Sequence, residues 1–338
     1  MKSSNANLLS FVLYVIVLLL GACSFHRVIP TLPDATVSMN IPTQPATIES
    51  KPLNTLASTP TLLFFSGKIA FLVGNGNWVR LYVMYANGAG LTDITPPNLL
   101  RINNLSWSPD AQYIAFDAIT DPQNPIVQVY IIKADGSDLR QITFGQQDSD
   151  HPCWSPDGKN IIFTHYTDRG DELDIMNPDG TEIRKLVDGV SDYSYRNDGS
   201  ISVSIPATRD LTTTFIINSE GLVQDRLPNF PNRIVPQWSP DRKSIVAVDL
   251  YRTDCCTACT DIVVMESIGY NETCIKIEGI IPPTVAVAAT WSPDGKYILF
   301  TANPSGKWKI YLVKPDGTDL IQLVNLEDAR AAVWSASP

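Results

Sequence analysis

Short hydrophobic runs recur along the chain from about residue 67, and turn residues separate them. β-Branched and aromatic residues fill the runs at residues 113–116, 161–164 and 297–300. Each is followed by a second apolar run and then by Asp-Gly, at residues 135–136, 179–180 and 316–317. Such runs predict strands, and Asp-Gly between two strands predicts a hairpin. The pattern indicates an all-β fold.

An aromatic residue followed by Ser-Pro-Asp recurs at a nearly constant interval. Full copies begin at Trp107, Trp154, Trp238 and Trp291, and degenerate copies begin at Tyr195 and Trp334. Successive copies lie 41 to 53 residues apart, which fits a four-stranded propeller blade of ~40–45 residues. The Ser-Pro-Asp segment predicts a tight turn between the first two strands of a blade. Six copies predict a six-bladed β-propeller of four-stranded antiparallel blades.

The two ends of the repeat region complement each other. The last copy stops after its first strand, at Trp334, and residues 67–71 resemble a second strand with no first strand before it. If the C-terminal strand joins the N-terminal strands, the sixth blade is complete and no open sheet edges remain. We therefore assign residues 62–338 to the propeller.

The N-terminal residues predict export and a lipid anchor. Lys2 precedes an apolar run at residues 8–22, which is shorter than the ~20 residues of a spanning helix and suits a signal peptide. Leu-Gly-Ala-Cys at residues 20–23 resembles the lipobox of bacterial lipoproteins. The resemblance implies a signal peptide at residues 1–22 and a lipid on Cys23, in the periplasm or at the cell surface. The alternative is an ordinary signal peptide followed by a chance cysteine.

Residues 23–61 predict a tether between the anchor and the propeller. Prolines and threonines are frequent there, and charged residues are few. Proline removes backbone donors and favours an extended chain. We expect a semi-rigid disordered spacer.

Trp-Ser-Pro-Asp-Gly, a following β-run and a later Asp-Gly hairpin resemble the propeller of TolB and its WD-like relatives. The resemblance covers the whole folded part and implies the propeller fold. It is specific for fold and unspecific for function. TolB carries an α/β domain before its propeller, where this chain has the tether.

The first strand of each blade should line the central channel. The residues three and four positions before the repeated aromatic are polar mainly in the first three blades, which predicts a binding site at the channel mouth. Loops between the second and third strands should add aromatic and basic side chains there. The candidates are Asn104, Asp150, His151, Asp192 and Arg330 from the channel, and Trp78, Trp308, Tyr251 and Arg252 from the loops. The alternatives are a solvated channel lining and tryptophans that pack on their own loops.

Four cysteines cluster in one blade and predict disulfides. They are Cys255, Cys256, Cys259 and Cys274. Outside the cytoplasm clustered cysteines usually pair, and four allow three connectivities. A zinc site is the alternative, because Cys256 and Cys259 have ligand spacing.

Charge and missing motifs narrow the functional classes. The net charge of −10 disfavours nucleic acid, whose binding needs basic groups. The sequence has no Gly-x-Ser-x-Gly elbow, and its three histidines, His26, His151 and His165, predict no three-histidine metal site. We expect a monomeric, non-catalytic lipoprotein without metal or cofactor that binds a protein, peptide or glycan in the cell envelope. The alternatives are a carbohydrate-active lyase or hydrolase that uses the channel mouth, and a scaffold in an envelope complex like TolB.

Overall fold

The computed structural model describes residues 65–76, 78–208, 211–227, 230–231, 233–249, 262–266, 273–275, 286–303 and 306–335. The predicted signal peptide (1–22) and tether (23–61) lie outside the described residues, as do the individual candidates Cys23, Tyr251, Arg252, Cys255, Cys256 and Cys259. In the described part of the chain, no helix is both long enough and apolar enough to cross a membrane.

The first half of the described chain forms strands in the order that the sequence repeat predicts. The first three strands, β1 (Lys68–Asn75), β2 (Trp78–Tyr85) and β3 (Thr92–Asp93), belong to the blade that the last strand completes. We number this blade 6. Blade 1 contains β4 (Leu100–Trp107), β5 (Tyr113–Ile119), β6 (Gln128–Lys133) and β7 (Arg140–Gln141). Blade 2 contains β8 (Ser149–Trp154), β9 (Ile161–Thr167), β10 (Gly170–Met176) and β11 (Arg184–Asp188).

The second half repeats this order three more times. Blade 3 contains β12 (Asp192–Tyr195), β13 (Ile201–Thr208), β14 (Leu211–Ile217) and β15 (Val223–Arg226), and β16 (Phe230–Pro231) also pairs with β14. Blade 4 contains β17 (Arg233–Trp238), β18 (Ser244–Asp249), β19 (Ile262–Glu266) and β20 (Thr273–Cys274). Blade 5 contains β21 (Ala286–Trp291), β22 (Ile298–Ala302), β23 (Lys309–Val313) and β24 (Ile321–Gln322), and β25 (Ala329–Trp334) follows.

The six blades form a closed ring. Within each blade the strands are antiparallel and follow the chain order outward, and β25 pairs with β1 to complete blade 6. The innermost strand of every blade contacts the innermost strands of both neighbouring blades, and β25 contacts β4. The predicted six-bladed propeller, with its C-terminal strand joined to the N-terminal strands, is confirmed.

A buried serine organises the tight turn between the first two strands in blades 1, 2, 4 and 5. In blade 1 the Ser108 hydroxyl donates to Asp110 Oδ1 at 2.6 Å and accepts the Tyr113 N–H at 2.9 Å. The serines of three other blades make the same two bonds; they are Ser155, Ser239 and Ser292. In these four turns the buried hydroxyl uses both its donor and its acceptor, as a buried hydroxyl must.

The same bond closes the ring without a covalent turn. The Lys68 N–H donates to the Ser335 hydroxyl at 2.8 Å, and the Ser335 N–H donates to the Lys68 carbonyl at 2.8 Å. Ser335 is fully buried. The C-terminal copy of the repeat therefore does for blade 6 what a continuous turn does for the other blades.

Two of the repeated tryptophans hydrogen-bond to the preceding blade. Trp107 Nε1 donates to the carbonyl of Val333 at 3.2 Å, and Trp291 Nε1 donates to the carbonyl of Gln237 at 3.1 Å. Each acceptor directly precedes the aromatic of the preceding blade. In blade 3, Arg196 follows the degenerate aromatic, and its guanidinium lies 4.5 Å from the centre of the Trp238 ring. This cation–π contact joins blades 3 and 4.

We predict that Ser335→Ala lowers the free energy of unfolding by about 1–3 kcal/mol, because it leaves the Lys68 N–H without its partner. Urea unfolding measures the change. The matched control is Ser137→Ala, which removes an exposed hydroxyl from a continuous turn and should change stability by less than about 0.5 kcal/mol. Equal effects of the two substitutions would contradict the role given to Ser335.

Candidate channel-mouth site

A bulge in the innermost strand places the candidate side chains. Asn104, His151, Ala288 and Ala331 hold equivalent positions in four blades, and all have positive φ, between 49° and 54°. The strand register shifts at each of these positions. A bulge leaves one residue unpaired and re-aims its side chain. Since alanine occupies it in two blades, the bulge belongs to the fold, and blades 1 and 2 place polar side chains on it.

Asp117 lies at the centre of the polar cluster. It comes from β5 and is 2% exposed. Its Oδ2 atom accepts the Asn104 side-chain amide at 2.6 Å and the His151 backbone N–H at 3.1 Å. The bulge makes that N–H available, because it interrupts the ladder between β8 and β9. One carboxylate therefore joins the bulges of blades 1 and 2.

The side chains of Asp150 and His151 form a close pair beside Asp117. Asp150 Oδ1 lies 2.6 Å from His151 Nδ1, and the two side chains are 16% and 9% exposed. The Tyr193 hydroxyl, from blade 3, donates to the His151 carbonyl at 2.7 Å. Three successive blades thus fix this histidine, and part of Asp150 still reaches the surface.

Burial controls the protonation of the cluster. Desolvation first, and the neighbouring Asp150 charge second, raise the pKa of Asp117 to about 6, although His151 and Asn104 oppose the shift. Burial and the nearby carboxylates, first Asp150 and then Asp171, raise the pKa of Tyr166, so its hydroxyl stays protonated. The cluster therefore combines a carboxyl group that exchanges its proton near neutral pH with a permanent hydroxyl donor.

The structure brings three of the predicted residues together around Asp117 and places two others in neighbouring innermost strands. Asn104, Asp150 and His151 surround Asp117. Asp192 is buried in the neighbouring β12. Arg330 is buried in β25, where its Nε donates to the Gly74 carbonyl at 2.9 Å.

The expected pair of exposed tryptophans is not formed. Trp78 is 82% exposed, at the hairpin between β1 and β2. Trp308 is 8% exposed and packs in a core shared with residues of blade 4, so it is corrected from a surface candidate to a core residue. Residues of blade 4 pack against it, which its position in a loop between strands does not reveal. Cys274 ends β20, and its pairing remains a prediction.

The sequence analysis did not identify Asp117 or Tyr166 as members of the site. Asp117 is the one charged residue in the strand segment Tyr113–Ile119, whose sequence is YIAFDAI. An ionisable residue inside a continuous apolar run is costly to bury. The charged residue inside this apolar run could have identified the site from the sequence, because a fold retains such a residue where a partner or a function requires it.

The fold and the repeated motif define the class of protein as a six-bladed propeller with four-stranded blades. Residues 56–240 match the family described as the TolB beta propeller domain. The match spans more than half of the chain, and the chain belongs to this family. The predicted TolB-like propeller is therefore confirmed.

Individual proteins resemble parts of the chain. The "Uncharacterized peptidase YuxL" of Bacillus subtilis is 27% identical over 168 residues, which are 49% of this chain and 24% of that protein. TolB from Acinetobacter baumannii has a TM-score of 0.64 at 17% identity and covers 80% of this chain and 67% of its own. An oligogalacturonate lyase from Vibrio parahaemolyticus has a TM-score of 0.51 at 14% identity, with coverage of 72% and 74%. The chain spans about a quarter of the curated relatives that it matches.

The expectation of a non-catalytic chain is wrong. It depends on missing sequence motifs, whereas the sequence relatives include YuxL and a dipeptidyl-peptidase 5 of Porphyromonas endodontalis, both named as peptidases. The lyase shows that an enzyme also has this fold. The absence of a serine-hydrolase elbow or of three histidines therefore does not exclude activity.

We predict that Asp117→Asn stabilises the protein at neutral pH. The raised folded-state pKa means that Asp117 favours folding below its unfolded pKa and loses that contribution as the pH rises through about 6. Asparagine keeps an oxygen for both donors and has no charge. The stability advantage of the variant over wild type should therefore grow by about 2–3 kcal/mol between about pH 4 and about pH 8.

Urea unfolding at the two pH values provides the test. Asp138→Asn is the matched control, because Asp138 is exposed and asparagine tolerates its positive φ of 53°. A stability difference for Asp117→Asn that does not change with pH would show that this carboxyl group is not held above its ordinary pKa.

Proposed function

We propose that this chain is an extracytoplasmic TolB-like propeller, anchored by a lipid on Cys23, that binds a cell-envelope glycan at the channel mouth and cleaves it by acid–base chemistry. The observation that carries the proposal is the buried Asp117 carboxyl group, with its pKa of about 6, against the Asp150–His151 pair. The buried Asp117 carboxyl group holds the partly exposed Asp150–His151 pair in place, and this pair supplies the groups for acid–base chemistry. Buried carboxyl groups with a raised pKa concentrate at functional sites.

The geometry supports separate roles for the members of the cluster. Asp117 is shielded and bonded to Asn104 and to the His151 backbone, which makes it a positioning residue. Asp150 holds one ring nitrogen of His151 at 2.6 Å, as a carboxylate does when it orients a general base. Asp150 and His151 are the groups that we expect to touch the substrate. The Tyr166 hydroxyl stays protonated beside Asp150 and can donate a hydrogen bond to this carboxylate or to a bound substrate.

A glycan suits the surroundings of the cluster. Trp78 is exposed on a hairpin between a second and a third strand, which opens on the same face as the start of β8. An exposed indole is a stacking surface for a sugar ring. Arg330 and Gly74 hold this hairpin against the innermost strand. The oligogalacturonate lyase with the same fold acts, by its name, on a glycan, and its likeness supports only the fold.

Export and anchoring are supported by the sequence before the propeller. The apolar run at residues 8–22 ends at Cys23, and the Pro/Thr-rich residues 23–61 separate this cysteine from the first strand. A tether of that composition holds a domain away from the membrane surface. A propeller in this position would meet polymers of the cell envelope.

The test is cleavage of an array of envelope glycans by the full chain, with products identified by mass spectrometry. His151→Ala should lower kcat at least about 100-fold, and Asp150→Asn should do the same. Alanine occupies the same bulge at residues 288 and 331, so the fold tolerates the His151 variant. Trp78→Ala should raise KM and leave kcat nearly unchanged.

Leu222→Ala is the matched control, because Leu222 is exposed at a hairpin on the opposite face. It should leave both constants unchanged. Binding without cleavage would contradict the acid–base role. Cleavage that survives in His151→Ala and Asp150→Asn would place the site elsewhere. No binding to any glycan would contradict the ligand class and make a protein of the envelope the next candidate.

A further inference from the structure

A second cluster of ionisable side chains lies on blade 2. The proposed reaction does not use these side chains. In the register of β9 and β10, His165 faces Glu172. Glu172 and Asp174 are two residues apart on one strand and therefore point to the same side of the sheet. The ligand atoms that these three residues can offer all lie within 4.8 Å of one another. The hairpin between β9 and β10 thus gathers one imidazole and two carboxylates.

Asp174 has an oxygen with no hydrogen-bond partner among the described residues. Its side chain is 5% exposed, and Oδ2 lies 3.1 Å from His165 Nδ1. Oδ1 is buried and accepts no hydrogen bond. Buried carboxylate oxygens are normally satisfied, and one that is not indicates a missing partner such as an ion or a water molecule. This oxygen is an observation independent of the clustering of the three residues.

The charges around the cluster are not balanced. Lys185, on the adjacent β11, lies 3.7 Å from Glu172 Oε1 and closer, at 2.9 Å, to Asp188 Oδ1. One ammonium group therefore serves the mostly buried Glu172 and the exposed Asp188. Lys185 also lies opposite Asp174 in the strand register and acts on it electrostatically, but its ion pairs are with Glu172 and Asp188. His165 is the remaining neighbour, and it is cationic only when protonated. Among the described residues, Glu172, Asp174 and Asp188 face one permanent positive charge, that of Lys185.

We propose that His165, Glu172 and Asp174 bind a divalent transition-metal cation of the Mn²⁺ or Zn²⁺ type. One nitrogen and two carboxylate ligands are a donor set that such ions accept, with water in the remaining positions. His165 is about one-third exposed and Asp174 is buried, so a cation can enter from the surface at His165 and bind against the buried carboxylate. Histidine triplets and thiolate pairs, the sequence patterns that usually reveal metal sites, are not part of this cluster.

The site would join the middle strands of blade 2 just outside the channel-mouth cluster. His165 is adjacent in sequence to Tyr166 and pairs in register with Ser149, next to Asp150. A cation that fixes His165 would therefore also stabilise the backbone of β9 where Tyr166 projects. The metal site is nevertheless independent of the proposed cleavage reaction, since its three ligands are different residues.

The test is a titration of the full chain with MnCl₂, followed by calorimetry and by the electron paramagnetic resonance signal of Mn²⁺. Mn²⁺ is the probe because thiolates select softer metals, which keeps the cysteine-rich part of blade 4 out of the measurement. We expect saturation at one Mn²⁺ per chain. Glu172→Gln and Asp174→Asn should each weaken binding at least about tenfold.

Glu182→Gln is the matched control, because it makes the same substitution at an exposed position of the same blade. It should bind Mn²⁺ as wild type does. Circular dichroism and melting curves show whether each variant is folded. The proposal is overturned if wild type shows no saturable Mn²⁺ binding, or if Glu172→Gln, Asp174→Asn and Glu182→Gln bind equally well. The first result would mean that Lys185 and His165 alone compensate the two carboxylates.

Discussion

The pairing of β25 with β1 is the contact on which the rest of the ring depends. Five blades are each one continuous stretch of chain, whereas blade 6 is held together by contacts between residues more than 250 positions apart. The same segment supports the channel mouth: Arg330 fixes the Gly74 carbonyl, and the Val333 carbonyl accepts the Trp107 indole of blade 1. The strand that closes the ring therefore also holds the channel mouth in position.

A second constraint is the burial of carboxylates in strands that are otherwise apolar. Asp117 and Asp174 each sit inside a core-facing run, and both pay a desolvation cost that an apolar residue would avoid. The first is satisfied by the bulged strands of two blades, and the second keeps one oxygen without a partner among the described residues. Blade 2 contributes to both clusters, through His151 in one and His165 in the other.

The repeat predicted the architecture because turn chemistry and strand period are local properties. The spacing from Trp107 to Trp334 gave the number of blades, and the unmatched strand at residues 67–71 gave the closure. The site was only partly predictable. Asn104, Asp150 and His151 follow from counting back from the aromatic, but their convergence on Asp117 depends on how adjacent blades pack. The same packing buries Trp308. The lack of enzymatic motifs led to the wrong expectation of a non-catalytic chain. In a propeller, strand bulges can bring ionisable groups together, and no short sequence motif shows this.

Hydrogen exchange of the two terminal segments tests the account most directly. Amides of β1 and β25 that are bonded across the closure should exchange only with the free energy of global unfolding, as the core strands β5 and β9 do, if the ring cannot open without losing its structure. Exchange of both terminal segments at a clearly lower free energy, while β5 and β9 stay protected, would show that blade 6 opens locally. In that case neither the fold nor the channel-mouth site would depend on the pairing of β25 with β1.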